Sequence, residues 1–135
     1  MKIPVCCLTT LFLTAGANAG TVIYTDHAHP VTGELSPDVT VTELDAPDRL
    51  LAQQFGPLSA APAQAEQQAR AVIATPAFRQ SQQALAASYA CVAHAWLLGL
   101  KKYPAVVFDD KWVVYGTTDV AAAQAKLDAW REKQP

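Results

Sequence analysis

The stretch that most constrains the fold is a pair of apolar runs separated by a short charged turn. Residues 104–108 read Pro-Ala-Val-Val-Phe, and residues 112–115 read Trp-Val-Val-Tyr, with Asp-Asp-Lys between them. β-Branched and aromatic residues on both sides of a polar turn predict a β-hairpin. Neither run alternates between apolar and polar residues, so we expect helices on both faces and a hairpin that lies inside the domain.

Pro104 stands at the start of the first predicted strand. Proline has no amide hydrogen to donate to a β-ladder, and the first residue of a strand tolerates this loss. Only about 5–6% of X-Pro bonds in folded proteins are cis. The sequence therefore leaves the isomer of the Tyr103–Pro104 bond open.

Residues 1–19 have the pattern of a secretory signal peptide. Lys2 precedes an apolar run from Ile3 to Ala15, and Ala17-Asn18-Ala19 provides a small-x-small cleavage site before Gly20. Cleavage between Ala19 and Gly20 predicts a periplasmic protein with a single domain at residues 20–135. No later stretch approaches the roughly 18 apolar residues of a membrane span.

Charge and length narrow the classes of function. The chain has 10 basic and 12 acidic residues, and loss of Lys2 would leave 9 − 12 = −3. Since no run is rich in lysine or arginine, nucleic-acid binding is not expected. A mature length of 135 − 19 = 116 residues suits one domain with one core.

Cys91 is the single cysteine of the predicted mature chain, because Cys6 and Cys7 lie in the signal peptide. An internal disulfide and a CxxC redox motif are therefore both excluded. Alanines and a leucine surround Cys91, and we expect it to pack as a small hydrophobe. Two alternatives are an intermolecular disulfide and a nucleophile with His94, three residues further along a helix, as its base.

The remaining pattern predicts an α/β (α+β) fold with the order β-β-α-α-α-β-β-α and a mixed sheet of about four strands between helices. The predicted strands before the hairpin are 21–25 and 39–44. Four helices are predicted. The first is capped by Asp45 and ends at Gly56, and the second covers residues 63–74. The third covers residues 76–98 and is capped by Thr75, and the last is capped by Thr117 or Thr118.

The long helix carries two apolar stripes. We expect the first to pack on the hairpin and the second to be covered by another part of the chain. The first stripe is Phe78, Leu85, Tyr89, Val92 and Trp96, and the second is Ala84, Ala87, Cys91, Ala95 and Leu98. The last helix is predicted to bury Val120, Ala123, Leu127 and Trp130.

Four residues are candidates for partner binding: Tyr103, Pro104, Trp112 and Tyr115. Aromatic side chains beside an exposed strand can hold an extended peptide that adds backbone hydrogen bonds. Their alternative role is as core aromatics of a central hairpin. Trp112 follows the charged turn and is expected to be half exposed.

Other polar groups predict no catalytic or metal site. His27 and His29 could chelate copper or zinc with Asp26, but so few ligands favour a solvated loop. Asp109-Asp110-Lys111 is a turn whose carboxylates point apart. G-x-S-x-G, H-E-x-x-H and Gly-rich phosphate loops are absent from the sequence. We expect neither a cofactor nor an enzymatic activity.

The long helix, the loop ending in Pro104, the hairpin and the last helix together resemble the second half of the thioredoxin-like fold. In that fold the proline before the third strand is typically cis, and Pro104 holds the matching position. The first half departs from the pattern. His27-Ala28-His29 stands where a redox pair would begin, and no helix fits between the first two strands.

Over nearly all of the predicted mature chain, the sequence also resembles a small exported protein family encoded on bacterial integrating conjugative elements. The residues that carry this likeness are 99–108, 113–120, 24–25, 29–31 and 43–47. The resemblance implies a periplasmic, non-enzymatic accessory protein that contacts other proteins of a type IV secretion or conjugation apparatus. It leaves the oligomeric state open. The alternatives are a thioredoxin-like thiol/disulfide or chaperone-like protein, and a metal binder through His27 and His29.

Overall fold

The computed structural model describes residues 20–134. The predicted signal peptide and its cleavage residue Ala19 lie outside the described residues. The element order is the predicted β-β-α-α-α-β-β-α. The strands are β1 (Thr21–Thr25), β2 (Val39–Glu43), β3 (Ala105–Phe108) and β4 (Trp112–Tyr115), and the helices are α1 (Ala46–Phe55), α2 (Pro62–Ile73), α3 (Pro76–Leu97) and α4 (Val120–Arg131).

The four strands form one mixed sheet in the order β2-β1-β3-β4. β1 runs parallel to β2 and antiparallel to β3, and β3 pairs antiparallel with β4. All residues of β3 are buried, whereas all residues of β4 are only partly buried. The prediction of a hairpin wholly inside the domain is therefore wrong for β4, which is an edge strand. An apolar run looks the same in a central strand and in an edge strand whose face is covered by a helix.

The two faces of the sheet hold separate apolar clusters, which confirms helices on both sides. On one face Ile23, Val106 and Phe108 pack with Ala123 and Leu127 of α4. On the other face, Tyr24 and Val107 pack with Ala95 of α3. Alternate residues of β1 and β3 point to opposite faces, so each central strand contributes to both clusters.

The charged turn of the hairpin confirms the sequence prediction. Asp109 and Asp110 have φ angles of 54° and 51°, and the Lys111 amide donates to the Phe108 carbonyl over 3.1 Å. Two consecutive residues with positive φ match the right-handed twist of an antiparallel pair. Aspartate tolerates this left-handed conformation better than β-branched residues do.

The cap residues of α1 and α3 agree with the sequence prediction, and the cap residue of α4 differs from it. Thr75 accepts a hydrogen bond from the Phe78 amide over 3.1 Å, as predicted for the start of α3. The last helix is capped by Asp119, which accepts from the Ala122 amide over 3.0 Å, and not by either preceding threonine. Asp45 occupies the N-cap position of α1 as predicted, but its side chain makes no capping hydrogen bond there. Its carboxylate accepts from the His27 amide instead, at 3.2 Å to each oxygen.

The predicted packing of α3 on the hairpin is wrong for its largest residues. Trp96 is 79% exposed and Tyr89 is 48% exposed, and Phe78 packs on Phe55 of α1 with ring centroids 5.7 Å apart. Ala95 is the buried residue of α3. A helix of 22 residues is ~33 Å long, whereas strands of 5 residues span ~17 Å. The sheet can therefore cover only part of α3.

The second stripe of α3 is also less covered than predicted. Ala84, Ala87 and Cys91 are exposed, and Leu98 is partly buried. In α4, Ala123 and Leu127 are buried as predicted, Val120 is partly buried and Trp130 is 46% exposed. Among residues 20–134, no helix has the length and apolar character needed to cross a membrane.

Candidate partner-binding surface

Three of the four predicted binding residues meet at the start of the hairpin. The Tyr103–Pro104 peptide bond is cis, and the Gly116 amide donates to the Pro104 carbonyl over 2.8 Å. The Lys102 ammonium lies 5.5 Å from the centroid of the Tyr115 ring. Tyr103 is 48% exposed, whereas Pro104 and Tyr115 are partly buried. This arrangement anchors the loop and leaves the Tyr103 side chain accessible.

Trp112 lies elsewhere, on the face of the sheet that α4 covers. Its ring centroid is 5.3 Å from that of Trp130. The Lys111 ammonium is 4.9 Å from the Trp112 ring and the Arg131 guanidinium is 5.3 Å from it. Trp112 is partly buried. The structure therefore does not place Trp112 beside Tyr103 and Pro104, but it brings Trp112 and Tyr115 to one groove along β4.

A concave apolar site next to Tyr103 has a volume of about 230 Å³. Its wall includes Trp96, the most exposed large apolar residue described in the chain. We call this site the aromatic notch. It is lined by Leu44, Val92, Ala95, Trp96, Leu100, Lys101, Lys102 and Tyr103. Exposed aromatic side chains around a small apolar depression are typical of the central part of protein interfaces.

Trp96 and Leu97 are surface residues that the helical periodicity of the sequence did not predict. Trp96-Leu97-Leu98 places three large apolar side chains on successive positions, which span most of the circumference of a helix. Such a run cannot be buried on a single face. Leu97 is 74% exposed, like its neighbour Trp96. This run was the signal in the sequence for an uncovered apolar surface at the C-terminal end of α3.

A second groove follows the edge strand β4. It has a volume of about 360 Å³ and lies between the strand and α4. Trp112, Leu127 and Trp130 contribute its apolar wall, and Lys126 contributes a charge. An edge strand has unpaired backbone groups along one side. This part of the surface fits the predicted addition of an extended peptide better than the aromatic notch does.

The prediction that Cys91 packs as a buried hydrophobe is wrong, because its side chain is exposed. Cys91 lies on a groove of about 480 Å³ between β2 and α3, beside Val41 and Ala87. The hydrogen bond of His94 goes from Nε2 to Asp110 Oδ1 over 3.1 Å rather than to the thiol. The structure therefore gives Cys91 access to a partner thiol and does not join it to His94 as a nucleophile and base.

Tyr24 is a polar group at the core beneath α3. Its side chain is 2% exposed. Burial raises the pKa of the phenol to about 12, and the charges of Asp110 and Cys91 act in the same direction. The phenol is neutral at physiological pH, and its ring contributes apolar packing to the core.

The loop of His27 and His29 is organised by carboxylates. His29 Nδ1 lies 2.6 Å from Asp26 Oδ1, and the side-chain hydrogen bond from His29 lowers the pKa of Asp26. The His27 amide is held by Asp45. Among residues 20–134, no three histidine, cysteine or acidic side chains are placed to hold one metal ion.

Fold and site together define a mixed α/β domain with a four-stranded sheet, helices on both faces and an uncovered aromatic surface. The chain belongs to the family described as protein of unknown function (DUF1525), which matches residues 18–133. Comparison with curated proteins gave no match, and comparison with solved structures gave none either.

Proposed function

We propose that this protein is a periplasmic, non-enzymatic accessory component of the conjugation or type IV secretion apparatus of an integrating conjugative element. It acts by contact with other proteins of that apparatus. The placement in conjugation rests on the sequence resemblance described above. The mode of action is supported by one structural observation, the exposure of Trp96 and Tyr103 around the aromatic notch.

Exposure of these side chains supports a contact role because large aromatic residues contribute most to folding when they are buried. Trp96 and Tyr103 are 79% and 48% exposed, and they contribute correspondingly little to the core. Tryptophan and tyrosine are also the residues most enriched among the hot spots of protein interfaces.

A mating assay tests this function. The gene is deleted from a donor strain and restored as wild type, as Trp96→Ala or as Ile73→Ala, and transconjugants are counted. Ile73 is a matched control because it is an exposed apolar residue, at 50%, on the separate helix α2. We expect deletion and Trp96→Ala to reduce transfer and Ile73→Ala to leave it unchanged. Undiminished transfer after deletion would contradict a required role in conjugation.

A second candidate function is thiol or disulfide handling by a thioredoxin-like domain. One observation favours it, the exposed thiol of Cys91. A lone thiol needs a resolving cysteine on its partner to complete an exchange cycle. The test is an insulin-reduction assay. If the wild type reduces insulin and Cys91→Ser does not, thiol chemistry is the function and the accessory role is contradicted.

A further inference from the structure

The aromatic notch has the size of a site for one side chain. Its volume of about 230 Å³ lies below the roughly 300–1,000 Å³ of sites that enclose small molecules. Leu44, Val92 and Leu100 line it together with the exposed aromatic residues Trp96 and Tyr103. A single large apolar side chain from a partner would fill it and cover both aromatic residues.

The notch carries positive charge. Lys101 and Lys102 are among the residues that line it, and within residues 20–134 neither ammonium forms an ion pair with a carboxylate. Opposite charges at short distance attract each other. A partner segment that fills the notch can therefore place carboxylates against these two lysines.

We propose that the aromatic notch binds a segment of a partner protein that presents one large apolar side chain followed by carboxylates. This inference rests on the proposed contact function and names the chemistry of the partner. The apolar side chain enters between Trp96 and Tyr103. The carboxylates lie against Lys101 and Lys102, which sets the direction of the bound segment.

Peptide binding followed by NMR tests the proposal. The probes are short synthetic peptides with phenylalanine followed by two glutamates, with phenylalanine followed by two lysines, and with alanine followed by two glutamates. The protein is expressed from the full sequence, and the indole N–H signal of Trp96 is identified with Trp96→Phe. We expect the phenylalanine-glutamate peptide to shift this signal and to bind about fivefold more tightly than the lysine peptide, since exposed ion pairs are individually weak.

Charge exchange supplies the matched control. The double variant Lys101→Glu/Lys102→Glu should reverse the preference and bind the lysine peptide more tightly. The variant Lys126→Glu/Lys133→Glu has the same net charge but changes lysines of α4 and the C-terminal segment, and it should keep the wild-type preference. Equal binding of both charged peptides, or equal binding when alanine replaces phenylalanine, would overturn the proposal.

Lipid binding is a separate outcome of the same test. Suppose that vesicles that contain phosphatidylglycerol retain the wild-type protein but not Trp96→Ala, and that no peptide shifts the Trp96 signal. This result would overturn the proposal in favour of binding to a membrane surface.

A failure of the proposed role in conjugation can be told apart from a failure of the peptide-binding proposal. Unchanged transfer after gene deletion, together with charge-selective peptide binding, would contradict the role in conjugation and leave the notch as a protein-binding site.

Discussion

Replacing Trp96 with alanine should cost little stability despite the size of the side chain. Trp96 is 79% exposed, so 100 − 79 = 21% of its surface is buried. An aromatic side chain buries at most ~250 Å², and about a fifth of this area at ~25 cal/mol per Å² corresponds to ~1.3 kcal/mol. Alanine is a better helix former than tryptophan by roughly 0.5 kcal/mol. The free energy of unfolding should therefore fall by about 1 kcal/mol or less, against ~3–5 kcal/mol for a tryptophan in a core.

Urea unfolding followed by far-ultraviolet circular dichroism measures this difference without relying on tryptophan fluorescence. The midpoint should move slightly, and the dependence of the free energy on urea should stay the same. A loss of more than about 3 kcal/mol would show that Trp96 is packed inside the protein. The aromatic notch would then not be a free surface, and partner binding through it would be contradicted.

Three further predictions concern the core, a helix cap and a buried phenol. Leu127→Ala should lower the free energy of unfolding by about 2–5 kcal/mol. Leu127 is only 5% exposed, because it packs between α4 and the sheet. Urea unfolding measures the loss. Thr75→Ala should cost about 1 kcal/mol in the same assay through loss of the hydrogen bond from the Phe78 amide, and Thr75→Ser should keep most of the stability. Tyr24 has a pKa of about 12 in the folded protein against an ordinary value of 10.0, so the stability from its protonated form is fully present below pH 10 and is lost as pH rises towards 12. This loss should be roughly 2–3 kcal/mol; if Tyr24→Phe shows an equal loss between pH 10 and 12, another group is responsible.

The hairpin and the start of α3 could be predicted because their signals are local. Asp109-Asp110 lies between two apolar runs, and the backbone conformations that these two residues tolerate are sufficient to specify a tight turn. Thr75 before Pro76 specifies a helix start because the hydroxyl and the fixed φ angle of proline act on adjacent residues. The cap of α4 was assigned to the wrong residue by one or two positions. Thr117, Thr118 and Asp119 can all cap a helix, and local sequence does not distinguish among them.

The binding site was predicted only in part. Tyr103, Pro104 and Tyr115 are close in sequence or face each other across the hairpin, so pairing of the strands brings them together. Trp96 and Leu44 come from distant parts of the chain, and their meeting depends on how α3 lies over the sheet. The exposure of Cys91 was missed for the same reason, because surrounding alanines are equally compatible with a buried and an open helix face.

The sequence by itself determined the order of the elements, the turn of the hairpin and the position of Pro104, because these follow from the conformational preferences of neighbouring residues. Tertiary structure decided that β4 lies at an edge, that the Tyr103–Pro104 bond is cis and that Trp96 faces solvent. Burial depends on which elements lie against one another. A long helix over short strands leaves apolar residues uncovered that its periodicity alone would place inside.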